Sequence, residues 1–166
     1  MTGILITDQV GRVAALLKAR GETVAVAESS TGGLIAASLL AVPRASAYFL
    51  GGSVVYTLAS RRALLEITAA DVAGLEPLTE AMAERFAARA RAQLDATWGL
   101  AELGAAGPTG TPYGHAPGIS VIAVTGPVTL TTTLETGSPD REANMWRFAA
   151  GAIDLLARAL QAHNPG

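Results

Sequence analysis

The densest run of chemically able side chains in the sequence is Glu28-Ser29-Ser30-Thr31-Gly32-Gly33. Three consecutive hydroxyls offer a nucleophile for acyl transfer, and a carboxylate beside them can orient a hydroxyl or a ligand. Glycines are suited to opening a helix, whose unpaired first amides and partial positive charge hold phosphate, carboxylate or a developing oxyanion. The same residues have a plainer use. Ser30 or Thr31 can cap the helix, Ser29 can satisfy backbone groups, and Glu28 can be a polar strand end.

The elements around this run place it at the carboxyl end of a strand, where open α/β sheets bind ligands. Thr23 to Ala27 is short, apolar and β-branched, as a buried strand should be, and Leu34 to Leu40 reads as a helix that Pro43 ends. Upstream, a helical period of apolar residues runs from Ile6 to Ala19 and stops before Gly21. Downstream, Gly51 to Thr57 reads as a second buried strand and Ser60 to Leu65 as a helix, with Thr68 and Asp71 spaced for a capped turn. Thr79 starts a stronger helix over Glu80 to Leu94, with Met82, Phe86, Ala90 and Leu94 close to one face. Thr97 to Leu103 is a third strand.

Between Gly104 and Gly118 lies a long loop rich in Gly, Pro and Thr, the kind of connection that carries function. Ile119 to Val124 and Val128 to Glu135 are strands joined at Thr125-Gly126-Pro127. The final helix is expected from near Pro139 to about Ala162. Alternating strands and helices that close on a hairpin predict an α/β fold with a mixed sheet, in one domain spanning residues 1–166.

Composition removes several classes of function. Half of the residues are apolar and 16% are charged, so the chain folds. A net charge of -2 leaves no cationic stripe for nucleic acid. There is no cysteine and there are only two histidines, His115 and His163, so neither a metal site nor a cofactor is expected. No apolar run reaches the roughly 18 residues that span a bilayer, and Met1 to Val10 lacks a basic leader, which predicts a cytoplasmic protein away from membranes. The low charge further predicts a homo-oligomer, a dimer or higher, with some apolar surface covered by a second copy.

The turn also carries a resemblance. Ala27-Glu28-Ser29-Ser30-Thr31-Gly32-Gly33 resembles the A-E-S-C/S-T-G-G signature of the CinA C-terminal domain family, the nicotinamide-nucleotide amidohydrolases. Ser46-Ala47-Tyr48-Phe49-Leu50-Gly51-Gly52, then Val54-Val55-Tyr56, then Gly104-Ala105-Ala106-Gly107-Pro108 follow in the family's order and spacing, and the similarity extends from residue 23 to 141. It implies an α/β/α sandwich with a mixed, mostly parallel sheet, often dimeric, that converts nicotinamide mononucleotide and water to nicotinate mononucleotide and ammonia without a metal. Carried over by position, Ser29 attacks the amide, and Thr31 with the Gly32 and Gly33 amides holds an oxyanion or phosphate. Ser46 and Tyr56 line the site with Glu28 and Ser30, the Gly107-Pro108-Thr109-Gly110 loop wraps the nucleotide, and Arg141 contacts its phosphate.

The sequence departs from the family where the base belongs. The family's S-N-x-x-K after the tyrosine is here Thr57-Leu58-Ala59-Ser60-Arg61, and Leu103 stands where the family has Thr or Ser. An arginine binds anions but does not surrender its proton near neutral pH. The remaining candidates for a base are His115, Glu102 and Tyr56, because the only lysine, Lys18, belongs to the first helix. Two functions stay open: an amidohydrolase acting on a nucleotide carboxamide, and an inactive relative that binds a nucleotide or another small anionic ligand.

Overall fold

Side chains alternate between two apolar layers along every central strand, and that alternation sets the architecture. A computed structural model describes residues 7–166. In chain order the elements are α1 (Thr7–Arg20), β1 (Val24–Glu28), α2 (Leu34–Leu40), a 3-10 turn (Ala45–Ala47), β2 (Phe49–Val54), α3 (Leu58–Leu65), α4 (Glu80–Leu94), β3 (Trp98–Ala105), β4 (Ile119–Thr125), β5 (Leu130–Glu135) and α5 (Arg141–Ala162). Val24, Val26, Trp98, Leu100, Ile122 and Val124 face one core, shared with α1, α2 and α5. Ala25, Ala27, Ala101, Leu103, Val121 and Ala123 face the other, shared with α4 and the end of α3. The period of two along each strand thus separates two helical layers around one sheet.

The sheet order is β2-β1-β3-β4-β5. β1 runs parallel to β2 and β3, while the β3–β4 and β4–β5 pairs are antiparallel. The sheet is therefore mixed and mostly parallel in strand direction: β2, β1, β3 and β5 run one way and β4 alone runs against them. Gly99 on β3 lets α4 lie directly on the sheet, since a Cβ there would stand 2.1 Å from the Ala87 carbonyl oxygen.

Several boundaries shift for identifiable reasons. The expected start of the first helix at Ile6 lies outside the described residues. Thr57, expected in a strand, instead caps α3 in a reciprocal pair with Ser60, so that helix begins at Leu58. Asp140 rather than Pro139 sets the start of α5, its side chain accepting the Ala143 amide. β2 is not a buried strand but the sheet's edge, half-buried on one face and exposed on the other. Leu94, expected on the buried face of α4, is exposed. Among the described residues no helix is long and apolar enough to cross a membrane.

Candidate functional site

β1 ends at Glu28, and the chain turns through Ser29 to Gly33 into α2. The turn is built on two buried carboxyl groups. Glu28 Oε1 accepts hydrogen bonds from the amides of Gly33 (3.1 Å) and Ile35 (2.9 Å), and its Oε2 accepts from the Ala36 amide (2.9 Å). The strand's last residue therefore supplies the anion at the head of the helix. Glu102, fully buried on β3, holds the turn from below: its Oε2 accepts from the amides of Ser29 (3.2 Å) and Thr31 (3.0 Å), and its Oε1 meets the hydroxyls of Ser30 and Ser120. Burial pushes the Glu102 carboxyl above the usual carboxylate range, partly opposed by hydrogen bonds from Ser30 and Thr31. Gly104 makes room for this arrangement, since a Cβ there would lie 2.5 Å from Ser30 Oγ.

This geometry corrects one expectation. The amides of Thr31 and Gly33 are spent on Glu102 and Glu28, and the Gly32 amide donates to the Ser29 carbonyl at 3.1 Å. They are not free to hold an oxyanion or a phosphate. Thr31 is fully buried, with its hydroxyl between the two carboxyl groups. Two groups of the turn have no hydrogen-bond partner among the described residues: the Ser29 hydroxyl and the Ser30 amide.

Ser29 lines a cavity of about 630 Å³ on the α3–α4 side of the sheet. Leu103 and Gly104 share its floor with Ser29, and Tyr56, Leu58 and Arg61 come from the start of α3 and the segment before it. Met82 and Phe86 on α4, the irregular segment from Ile67 to Leu78, and Thr111 to Tyr113 of the long loop complete the walls. Arg61 Nε donates to the Val55 carbonyl (3.3 Å), and the guanidinium centre lies 5.1 Å from the centroid of the Phe86 ring. Burial lowers the Arg61 pKa, with Tyr113 opposing part of the effect, yet guanidinium remains the charged form. Among the described residues no carboxylate stands within ion-pair distance of it.

The other expected residues divide. Tyr56 reaches the cavity and accepts a hydrogen bond from Arg141 Nη2 (3.1 Å), whose Nη1 donates to the Gly107 carbonyl (2.6 Å). Arg141 thus anchors the loop to the mouth of the site, together with Asn144, which donates to the Ala106 and Ser138 carbonyls. Gly107, Pro108, Thr109 and Gly110 do not line the cavity; the loop contributes Thr111, Pro112 and Tyr113 instead. Ser46 is a correction: it is exposed on the 3-10 turn before β2, and because β2 is parallel to β1 that places it at the opposite end of the sheet. His115 is held at its Nδ1 by the Thr111 hydroxyl (2.8 Å) and does not line the cavity. Lys18 lies on α1, across the sheet. Between Ile67 and Leu78 the expected Thr68–Asp71 turn forms, the Thr68 amide and hydroxyl donating to Asp71 Oδ2 at 2.7 and 2.8 Å, but only the apolar character of Met82 and Phe86 hinted at a cavity wall here.

The fold and cavity define an α/β/α sandwich with a ligand-sized site over a serine turn at the carboxyl end of a parallel strand. Residues 7–160 match the CinA C-terminal domain, and the chain belongs to that family. It is 44% identical over 115 residues to a CinA-like protein of Acaryochloris marina, covering 69% of this chain and 27% of that protein. With a CinA-like protein of Anaeromyxobacter sp. it shares 40% identity over 149 residues, covering 90% of this chain and 36% of the relative. The chain thus spans about a quarter to just over a third of these relatives' length. Among solved structures it is similar to competence damage-inducible protein A of Klebsiella pneumoniae subsp. pneumoniae, with a TM-score of 0.87 at 27% identity, covering 95% of this chain and 98% of that one. It is also similar to the competence/damage inducible protein CihA of Agrobacterium tumefaciens, with a TM-score of 0.84 at 26% identity, covering 93% and 94%.

Proposed function

We propose that the cavity beside Ser29 binds a pyridine nucleotide such as nicotinamide mononucleotide, or a related small anion, and that this chain retains binding without efficient amide hydrolysis. The observation that carries this is Arg61: a guanidinium inside the cavity, stacked on Phe86 and without a carboxylate partner among the described residues. Such a group favours an anion and does not deprotonate a serine. The other candidate bases are engaged elsewhere: Glu102 lies beneath the turn, His115 on Thr111 and Tyr56 on Arg141.

A second function, hydrolysis through Ser29, is favoured by one specific feature. The Ser29 hydroxyl lines the cavity unpartnered, and the neighbouring Ser30 amide is also unpartnered among the described residues, the type of donor that stabilises a tetrahedral oxyanion. Incubation with nicotinamide mononucleotide, with ammonia measured and thermal stability followed in parallel, separates the two. Stabilisation without ammonia is the expected result; ammonia release that Ser29→Ala abolishes establishes the hydrolase, and absence of both removes this ligand. Arg61→Lys with Leu58→Asn and Leu103→Thr is expected to bring ammonia release back.

A homo-oligomer belongs to the same proposal. Leu50 and Val54 on the β2 edge are 43% and 41% exposed, and Leu64 and Leu94 on α3 and α4 are exposed as well, apolar surface suited to pairing with a second copy. Light scattering tests it.

A further inference from the structure

The cavity lining is mostly apolar, with Ile67, Val72, Leu75, Leu78, Met82 and Phe86 among its residues. Arg61, whose guanidinium centre lies 5.1 Å from the Phe86 ring centroid, brings a charge against that surface. A volume of about 630 Å³ is that of a site for a drug-sized ligand, so a single small ring leaves much of this surface uncovered.

Arg61 sets the charge of the missing occupant. Its guanidinium centre lies 5.1 Å from the Phe86 ring centroid and its Nε is taken by the Val55 carbonyl, which leaves Nη1 and Nη2 without partners among the described residues. A cation held in apolar surroundings is unfavourable until an anion pairs with it, and the planar fork matches a carboxylate through two parallel hydrogen bonds. The turn's amides from Thr31 to Gly33 are consumed, and the donors left beside Arg61, the Ser29 hydroxyl and the Ser30 amide, are neutral. Arg62 also lines the cavity but is exposed to solvent, which screens its charge. The half-buried guanidinium of Arg61 balances one negative charge.

We infer that the site takes a monocarboxylate with a sizeable aryl body, the carboxylate on Arg61 and the body against the wall formed by Phe86, Met82 and the segment from Ile67 to Leu78. This rests on the cavity being the ligand site, as proposed above, and it further assigns a preference for an acid over the matching amide. Met82 and Phe86 are presented by α4, a long helix packed directly on β3, so that their part of the wall is in place before the ligand arrives. Preorganisation of this kind lets the apolar body contribute to affinity without an ordering cost.

The test is calorimetric titration of the purified chain with 4-phenylbutyrate, 4-phenylbutyramide and acetate, with nicotinamide mononucleotide as a separate arm. The acid is expected to bind about tenfold or more tighter than the amide, and acetate to bind too weakly to measure, because each lacks one of the two contacts. Arg61→Gln should bring acid and amide to equal affinity by weakening the acid alone. Equal binding of acid and amide to the unaltered protein, or measurable binding of acetate as strong as that of the acid, overturns the inference. Binding of the nucleotide with none of the acid also overturns it while leaving the nucleotide proposal standing. Acid-selective binding without nucleotide binding does the reverse, and no binding in any arm removes both.

Discussion

The Thr31 hydroxyl lies 2.9 Å from Glu102 Oε2, with Glu28 Oε1 2.7 Å away on its other side. It has one hydrogen to give. The Ser120 hydroxyl is placed similarly, 3.3 Å from Glu102 Oε1 and 3.2 Å from the Leu103 carbonyl, which can only accept. Both hydroxyls are one hydrogen short, and Glu102 is the acceptor common to them. A proton on Glu102 supplies one of the two missing hydrogens, in the direction in which burial already pushes its carboxyl. A carboxyl raised above its unfolded value gives stability that is complete below the unfolded carboxylate range and is lost as pH rises towards the folded value. Glu102→Gln, which mimics the neutral acid, should therefore gain stability relative to the unaltered protein as pH rises from about 4, and denaturant melts at several pH values read the gap. A gap that does not change with pH means that the group is ionised in the fold. Glu102→Leu leaves the Ser29 and Thr31 amides and the Ser30 hydroxyl unpaired and is expected to cost about 1–3 kcal/mol for each.

Glu28 is expected to matter more for the fold than for any ligand. Its carboxylate accepts three amides around the head of α2, so Glu28→Ala should destabilise the protein by about 3 kcal/mol or more. Glu28→Gln, which keeps one acceptor oxygen, should lose roughly half as much. The urea midpoint at constant slope measures both.

Arg141 predicts a local effect. Arg141→Ala releases the Gly107 carbonyl and the Tyr56 hydroxyl, and amide hydrogen exchange should quicken across residues 108–116. Global stability should move by no more than about 0.5 kcal/mol, because the residue is exposed. Exchange that stays unchanged in this segment means that Asn144 alone suffices as the anchor.

At the far side of the sheet, Glu80 at the start of α4 accepts hydrogen bonds from the hydroxyls of Thr131 and then Thr133 on β5, which hold its carboxyl below the usual range. A depressed carboxyl gives stability present above the unfolded value and lost as pH falls through the folded one. The melting temperature of Glu80→Gln should converge on that of the unaltered protein between about pH 5 and pH 3. The side chain is largely solvated, so the effect at neutral pH should stay below about 1 kcal/mol.

Local chemistry made much of the fold legible. Thr79 ahead of the apolar face of α4, and the passage from Thr23–Ala27 through the serines to α2, were readable because caps, glycines and periodicity act within a few residues. The edge position of β2 was not, since it depends on strand order, and Gly51-Gly52 reads equally well as part of a buried strand. Ser29, Tyr56 and Arg61, which motif spacing groups in the sequence, line one cavity. Ser46 belongs to the same motif, yet the parallel course of β2 carries it to the sheet's other end. The role of Glu28 escaped because its acceptors serve amides five to eight residues onward, which meet it only once the chain has reversed. In the wall from Ile67 to Leu78 the Thr68–Asp71 turn was readable, but the role of the segment was not, because its apolar residues follow neither helical nor strand spacing.

The floor of the cavity and its walls differ in origin. Ser29, Leu103 and Gly104 are tied into the sheet, whereas Ile67 to Leu78 and Thr111 to Tyr113 are connections that no strand pairing constrains. Substitutions in the floor, or at Ile67 in the core, alter folding and ligand together; substitutions at the exposed wall positions Thr68, Ala69, Pro112 and Tyr113 reach the ligand with little effect on the core. Descendants of this chain can therefore drift from one ligand to another through two surface segments while the serine turn stays as it is, which makes the site evolvable in its specificity and conservative in its frame.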